Sequence, residues 1–409
     1  MKSEMRLSSE RIIAVRSLYI LSFLLSSHFP YLSSPKFCFM RLTGLLVVLL
    51  LSLNSFAQSF YMFVGTYTTG KSEGIYVYKF NTSTGDASRL STISSVNPSY
   101  LAISNGGKFL YSVNESGKIG EVSSFEFDRG TGRLHFLNKQ SSGGADPCYI
   151  SVDKSNKWAV VANYSSGSLT ALPINADGSL APPSQIIQHA GSGVNKDRQA
   201  GPHVHSAVFS MDQRFIFAAD LGLDKEFIYH FTLGKKEPLT DAKDSAVSVD
   251  GGSGPRHFVF HPTKPYAYLM DEMTGTVDAF TFTTATGGLK HFQRISSHPS
   301  DYKGDIGSAD IHISPNGKFL YASNRGNANS IAIYSIDANG KLSSKGFQSV
   351  LGQTPRNFVI DPTGRFLLVA NQNSDNVVIF SINAQTGLLK STGKQIKIPN
   401  PVCLKMMKM

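Results

Sequence analysis

Short runs of alternating apolar and polar positions fill most of the chain and recur as one strand–turn–strand phrase. Clear copies read NPSYLAISNGGKFLYSVNE, DPCYISVDKSNKWAVVANY, GPRHFVFHPTKPYAYLMDE and TPRNFVIDPTGRFLLVANQ, and two divergent copies occupy residues 201–221 and 307–325. Counted from the opening residue, the second strand begins with an aromatic residue at offset 11 and ends with Asn or Asp at offset 16. The opening residues, spaced 49, 57, 51, 53 and 47 apart, are Pro98, Pro147, Val204, Pro255, Ser308 and Pro355.

A period near fifty with strand-like alternation and Gly-rich turns predicts a β-propeller with one four-stranded blade per repeat. Residues 400–405 resemble the first strand of a seventh repeat, and residues 60–66, 74–80 and 89–93 resemble its other three strands. A blade built from both termini removes the free edges of an open sheet. We therefore expect an all-β, seven-bladed β-propeller that forms one domain over residues 58–409.

The N-terminal region has the composition of an export signal. Arg41 precedes the short apolar run of residues 44–51, and small residues end at Ala57, which predicts cleavage before Gln58. The apolar run is too short to span a bilayer. Residues 1–39 displace the signal inward, so we interpret them as a mis-assigned start and place translation initiation at Met40. The protein is expected to be periplasmic or secreted, without a stable membrane span.

Charge and cysteine content exclude several other classes. After residues 1–57 are removed, 33 Lys and Arg remain against 27 Asp and Glu, and these positive charges are scattered. A nucleic-acid-binding face is therefore not expected. The two remaining cysteines, Cys148 and Cys403, open strands of blades that are not adjacent, so we predict two buried thiols and no disulfide. Metal-binding spacings and phosphate-loop motifs are absent from the sequence.

The first strand of each blade lines the central channel, so differences between repeats at that strand are candidates for chemistry. Offset 1 carries Ser99, Cys148, His205, Arg256, Ala309, Arg356 and Val402. Offset 17 carries Glu115, Tyr164, Leu221, Glu272, Arg325 and Gln372, with Thr66 as a rough match. At these two offsets, polar residues are concentrated in blades 3 to 6. His203, Asp310 and His312 add further polar groups near the start of the first strands of blades 3 and 5. Because buried charges must be paired or bind a ligand, one channel mouth is predicted to be a cation-rich pocket.

Structural roles for these residues also stay open. Arg256 and Glu272 belong to one blade and could simply form an ion pair. Hydrogen bonds alone could account for His205, and Glu115 could be a solvated loop carboxylate. The Asn and Asp residues at offset 16 are expected to cap turns. The long loop 189–201 is expected to cover the pocket.

A resemblance to a known family favours functional roles for these residues. The chain resembles the 6-phosphogluconolactonase family of seven-bladed propeller lactonases over residues 60–403. The matching stretches include VGTYT with GIYVYKF, ANYSSGSLTALPI, RQAGPHVHS, GPRHFVFHP, SPNGKFLYASNRG and PRNFVIDPTGRFLLVANQ. Family members commonly carry an acidic residue and an Arg before the fifth-blade turn, where this chain has Asp310 and His312.

The resemblance implies hydrolysis of a sugar lactone, 6-phosphoglucono-1,5-lactone or a related aldonolactone, with no metal or organic cofactor. The catalytic or binding groups of the family correspond to His205, Arg256, Glu272 and Arg325 of this sequence. Glu272 or His205 would activate water, and Arg256 or Arg325 would stabilise the oxyanion. Further substrate contacts are expected from His203, Arg356, Gln372, Asp310, His312 and Glu115.

The sequence also allows a second class of function, binding without catalysis. The repeats also resemble those of cell-surface propellers, so an exported propeller that binds a small anionic ligand, a glycan or a protein without catalysis is the alternative. The polar ring favours a small anionic ligand, whereas a protein-binding platform would more often expose aromatic residues. We expect a monomer whose partner is a small sugar lactone.

Overall fold

The computed structural model describes residues 58–118 and 120–409, so the predicted export signal lies outside the described residues. Seven four-stranded antiparallel sheets make up this part of the chain, which confirms the all-β propeller. Its helical content is one 3₁₀ turn, Gln372–Ser374, and no helix in it is long and apolar enough to cross a membrane.

The strands follow the blades in order. Blade 7 combines β28 (Pro401–Lys408) with β1 (Ser59–Thr66), β2 (Gly74–Asn81) and β3 (Ala87–Ser94). Blades 1 and 2 contain β4 (Leu101–Ile103), β5 (Phe109–Asn114), β6 (Glu121–Asp128), β7 (Arg133–Ser141), β8 (Pro147–Val152), β9 (Trp158–Asn163), β10 (Ser168–Pro173) and β11 (Gln185–Gln188). Blades 3 and 4 contain β12 (Val204–Phe209), β13 (Phe215–Asp220), β14 (Lys225–Phe231), β15 (Leu239–Ser248), β16 (Pro255–Phe260), β17 (Tyr266–Asp271), β18 (Thr276–Phe282) and β19 (Leu289–Ser296). Blades 5 and 6 contain β20 (Ser308–Ile313), β21 (Phe319–Asn324), β22 (Ser330–Ile336), β23 (Leu342–Ser349), β24 (Pro355–Ile360), β25 (Phe366–Asn371), β26 (Asn376–Ile382) and β27 (Leu389–Lys397).

The repeat phrase corresponds to the two inner strands of each whole blade. In blades 1 to 6 the second strand begins at the offset-11 aromatic and ends at the offset-16 Asn or Asp. The seventh blade closes as expected, because β28 pairs antiparallel with β1 from Phe60 opposite Lys408 to Thr66 opposite Pro401. Chain ends that would leave two free sheet edges instead complete one sheet.

The offset-11 aromatic also fixes each blade against the next one. In five blades its ring lies directly beneath a positive-φ glycine in the turn between the third and fourth strands of the following blade. The pairs are Phe109 with Gly178, Phe215 with Gly287, Tyr266 with Gly340, Phe319 with Gly387, and Phe366 with Gly85. Any larger residue at these turns would both strain the backbone and overlap the ring.

The offset-16 asparagines bind the backbone of the preceding connection, whereas Asp220 caps the turn that follows it, as expected, by accepting from the Gly222 N–H at 3.0 Å. The Nδ2 of Asn163 donates to the Ser142 carbonyl at 3.1 Å, and Asn324 donates to Ser297 at 2.6 Å. Asn371 bonds the Val350 carbonyl in the same way at 3.2 Å. Each bond ties the second strand to the connection that leads into the first strand, so these residues hold the channel end of the blade in place.

We expect Gly387→Ala to destabilise the propeller more than Gly393→Ala. The two glycines have nearly equal φ, +74° and +73°, but only Gly387 lies over an aromatic ring, whereas Gly393 has open space. The backbone cost of a left-handed alanine, about 1–2 kcal/mol, is common to both, and overlap with Phe319 adds about 1–3 kcal/mol. Thermal unfolding of the two variants measures the difference. Equal melting temperatures would show that the aromatic contact contributes nothing.

Candidate functional site

A β-bulge at the start of the first strands turns the offset-1 residues into the channel. In blade 3, Val204 pairs with Asp220 and Ser206 pairs with Ala219, so His205 is left without a strand partner. The same shift leaves Arg256 and Arg356 unpaired in blades 4 and 6. A bulge re-aims the side chain of its extra residue and is frequent beside functional sites.

These side chains open into a polar cavity of about 230 Å³ at one mouth of the channel, here called the upper pocket. Residues from all seven blades and one loop contribute to it. Its lining residues are Tyr67, Glu115, Cys148, Tyr164, Arg198, His205, Glu272, Arg325 and Arg356. The sequence-predicted residues His205, Glu272, Arg325, Arg356 and Glu115 are therefore brought together.

Glu272 is the centre of an arginine cluster. Its Oε2 accepts from Arg256 Nε and from an Arg325 terminal nitrogen, each at 2.9 Å. Its Oε1 accepts from Arg198 at 2.7 Å. Burial alone would raise the pKa of Glu272, but the charges of Arg325 and Arg256 and the contact with Arg198 outweigh burial and lower it strongly. A carboxylate with so low a pKa is a weak proton acceptor, and its main effect is to position the guanidinium groups.

Arg256 lies beneath the upper pocket rather than in it. Its side chain is 1% exposed, and its second contact is a 2.6 Å hydrogen bond from Nη1 to the Ala309 carbonyl. The ion pair with Glu272 that the sequence left open is thus present. Breaking a buried pair typically costs about 3–5 kcal/mol, so Arg256 supports the fold of this site as well as its charge.

Arg356 has the most available guanidinium of the cluster. Among the described residues it makes no hydrogen bond, and its nearest carboxylate oxygen, Glu115 Oε2, lies 4.0 Å away. The group sits 5.3 Å from the ring centre of Tyr67, whose hydroxyl donates to Glu115 at 2.9 Å. A buried cation with donors to spare is suited to binding an anion.

His205 is a buried, neutral imidazole. Burial, together with the positive charges of Arg256, His257 and Arg356, lowers the pKa of His205 well below its ordinary value. Its Nδ1 lies 3.7 Å from the Cys148 sulfur. An unprotonated imidazole that lines the upper pocket can accept a proton at neutral pH, which an imidazolium could not.

Four other sequence-predicted residues do not line the upper pocket. His203 stacks on Tyr164 at 4.5 Å and contacts the Tyr164 carbonyl at 3.0 Å, so it supports the wall from behind. Gln372 begins the 3₁₀ turn outside the cavity. Asp310 and His312 line a different cavity of about 290 Å³, here called the lower cavity.

Sequence reasoning did not assign Tyr67 or Arg198 to the pocket, although it named Tyr164 and expected the loop 189–201 to cover the pocket. The register shows that Thr66 is equivalent to offset 16, because it pairs with Pro401, and therefore Tyr67 and not Thr66 occupies the offset-17 position. Arg198 lies in the loop that was expected to cover the pocket, and its side chain is 46% exposed. Only its contact with Glu272 identifies it, and no repeat position corresponds to it.

Nothing in the described ranges indicates a resident metal. Groups of three or more His, Cys, Asp or Glu side chains with suitable geometry are absent from residues 58–118 and 120–409. Cys148 and Cys403 are buried free thiols, as the sequence predicted. Burial raises the pKa of the Cys403 thiol to about 11, so this thiol stays protonated at neutral pH.

Comparison with known proteins gives consistent matches. The family model described as "Lactonase, 7-bladed beta-propeller" matches residues 61–406. A 6-phosphogluconolactonase from Formosa agariphila is 41% identical over 351 residues, which cover 84% of this chain and 99% of that protein. A 6-phosphogluconolactonase from Bacillus subtilis is 36% identical over 84% of this chain and 97% of its own. The solved structure of a periplasmic gluconolactonase from Pseudomonas aeruginosa superposes with a TM-score of 0.82 and is 37% identical, covering 85% of this chain and 99% of that one.

We expect acid to destabilise the protein partly through His257, whose ring centre lies 5.4 Å from that of His205. Burial, reinforced by Arg256 and opposed by Asp310, lowers the pKa of His257 to about 4. Between pH 6.5 and 4 the unfolded chain binds a proton at this residue that the folded chain does not. The free energy of unfolding should therefore fall with decreasing pH by about 1.4 kcal/mol per pH unit from this group.

Denaturant unfolding of wild type and His257→Gln at several pH values measures this contribution. In the variant, the free energy of unfolding should depend less steeply on pH, because glutamine does not titrate. The other buried groups titrate in both proteins and contribute equally to the two profiles. Parallel pH profiles for the two proteins would contradict the assignment.

Proposed function

The chain belongs to the seven-bladed β-propeller lactonase family, and from this membership we propose that it hydrolyses a sugar lactone to the open acid. The reaction is that of a carboxylic-ester hydrolase, and the substrate is 6-phosphoglucono-1,5-lactone or a related aldonolactone. The observation that carries the proposal is the convergence of an arginine cluster, in which Arg356 has donors to spare, and a neutral histidine at one polar pocket. The relatives described give no support to a non-catalytic propeller.

The charge of the upper pocket favours an anionic or strongly polar substrate. Its charged groups, including the buried arginine below it, are Arg198, Arg256, Arg325, Arg356, Glu115 and Glu272. Four guanidiniums against two carboxylates leave a surplus of two positive charges. Burial, only partly opposed by Glu272, lowers the pKa of Arg325 to about 10, so this arginine stays charged at neutral pH. A phosphate, or the oxyanion formed during lactone hydrolysis, would offset this surplus.

The arginines divide into anchored and available groups. Arg325 is held by Glu272 and donates from Nε to the Gly307 carbonyl at 2.9 Å. Arg356 has no such hydrogen bonds within the described residues, so we assign it to the carbonyl oxygen or the anionic group of the substrate. Arg198, on the covering loop, closes over the substrate from the solvent side.

We assign His205 as the base that activates water. Water attacks the lactone carbonyl carbon, His205 accepts its proton, and the ring carbon–oxygen bond breaks as the ring oxygen receives a proton. Glu272 is the less suitable base because three arginines occupy its oxygens and hold its pKa low. An anion bound beside Arg356 would reduce the positive field around His205 and so increase its basicity.

The assay compares hydrolysis of 6-phosphoglucono-1,5-lactone and glucono-1,5-lactone with the spontaneous background. Wild type should exceed background on at least one lactone, and preference for the first would indicate that the surplus charge binds a phosphate. In His205→Gln, kcat should fall by about 10²–10⁴ because general-base catalysis is lost. The exposed Lys318→Gln serves as the matched control and should leave the rate unchanged.

Two results would contradict these assignments. A wild-type rate equal to background on both lactones would remove the proposed activity. A larger loss of kcat in Glu272→Gln than in His205→Gln would instead keep the activity and transfer the role of base to Glu272.

We also propose that the protein is exported, with cleavage between Ala57 and Gln58. The support is the charge and hydropathy pattern of residues 40–57 and the periplasmic Pseudomonas aeruginosa relative. N-terminal sequencing of the protein recovered from the periplasm or medium should begin at Gln58. Recovery of the uncleaved chain in the cytoplasm alone would contradict export.

A further inference from the structure

The lower cavity is separated from the upper pocket by a narrow constriction. The constriction shares Cys148, His205 and Arg356 with the upper pocket, and Tyr100 and His257 with the lower cavity, which places it between them. It encloses about 10 Å³, roughly the room that a single water needs. A ligand therefore cannot pass from one cavity to the other, and the proposed hydrolysis makes no use of the lower one.

The walls of the lower cavity are largely apolar and aromatic. Blades 3 and 4 supply aliphatic and aromatic side chains, namely Val208, Phe209, Val259 and Phe260. Tyr100 and Tyr149 also line the cavity, and they stack on each other with ring centres 4.2 Å apart. Such walls favour a flat apolar body and disfavour a sugar phosphate, whose polar groups would lose their water without replacement.

Lys405 brings to this cavity a positive charge that has no carboxylate in direct contact. The side chain is half-buried, and its Nζ lies 3.1 Å from the Tyr100 hydroxyl and 4.2 Å from the centre of that ring. Among the described residues no carboxylate oxygen lies within 4.0 Å of it, although 11 pairs of a Lys or Arg with a carboxylate form elsewhere in the same part of the chain. A partly desolvated ammonium group gains most from an anionic partner.

His312 adds a directional group, and Asp310 is not available to a ligand. Asp310 accepts from His257 at 2.7 Å and from His312 Nε2 at 3.0 Å, and it also accepts from Asn357. Its oxygens are therefore occupied by protein donors. His312 Nε2 contacts Asp310, so Nδ1 is the ring nitrogen left to hydrogen-bond a ligand, and Nδ1 has no partner in the described ranges.

We propose that the lower cavity is a second ligand site, which binds a small aromatic monocarboxylate. The carboxylate pairs with Lys405, the ring packs against the tyrosine pair and the apolar wall, and a ring hydroxyl hydrogen-bonds to His312. A volume of about 290 Å³ lies at the lower limit for organic ligands, which suits a molecule with one ring. This inference does not depend on the proposed lactone hydrolysis.

Calorimetric titration of the full chain with 4-hydroxybenzoate tests the proposal. Two comparison ligands separate its parts: 4-hydroxybenzyl alcohol keeps the ring without the charge, and cyclohexanecarboxylate keeps the charge without the aromatic ring. We expect 4-hydroxybenzoate to bind roughly tenfold or more tighter than either. Lactone hydrolysis is not measured, so failure here is distinct from failure of the proposed function.

Variants locate the bound molecule. Lys405→Gln should raise Kd roughly tenfold or more, since it removes the charge partner. Val208→Phe should weaken binding comparably by filling the cavity while keeping Lys405, which provides a second test if the first variant folds poorly. Lys408→Gln, an exposed change on the same strand, is the matched control and should leave Kd unchanged.

The arginines of the upper pocket are the competing site for any carboxylate. Arg198→Gln should leave 4-hydroxybenzoate binding unchanged if the lower cavity holds it. Weakening by Arg198→Gln without weakening by Lys405→Gln would overturn the proposal, as would the absence of binding to the wild-type protein.

Discussion

The contact between an aromatic ring in one blade and a bare glycine in the next is the interaction on which the propeller depends. A sheet can bury its faces only against its neighbours, and here the apolar clusters lie between adjacent blades. The ring beneath the glycine fixes how far one blade turns relative to the next. Tyr268 and Tyr321 add hydrogen bonds of 2.8 Å to the carbonyls of Gly340 and Gly387, the same turn glycines. The spacing around the channel, and hence the site, follows from these contacts.

The upper pocket combines side chains from several blades, which no single blade could supply. Glu272 belongs to blade 4, yet it accepts hydrogen bonds from Arg256 on its own blade, from Arg325 on blade 5 and from Arg198 on the loop between blades 2 and 3. Each arginine repels the others, and the shared carboxylate keeps them close. The result is a preorganised set of donors whose positions need little rearrangement when an anion arrives.

Sequence reasoning identified the fold and much of the pocket because the repeat gives the angular position of each residue around the channel. Comparison of the offset-1 residues of the seven blades thus identified His205, Arg256 and Arg356. The repeat does not give depth along the channel. Because of the bulge, consecutive residues face the channel at different levels, which places Asp310 and His312 in the lower cavity, away from the arginines.

Other parts of the site could not be predicted from the repeat. Arg198 belongs to an insertion that has no counterpart in the other blades, so only its contact with Glu272 identifies it. Tyr67 was displaced by one position because β1 has no preceding first strand in the sequence from which to count. The charge state of Glu272 was equally hidden, since it depends on three partners that are distant in the chain.

The split blade has a consequence for how the molecule is completed. β28 is synthesised after every other strand of the propeller, while its partner β1 precedes all of them. Blades 1 to 6 can form in order as the chain emerges, but β1 then presents an unpaired edge until the last strand arrives. The ring therefore cannot close before β28 has been synthesised.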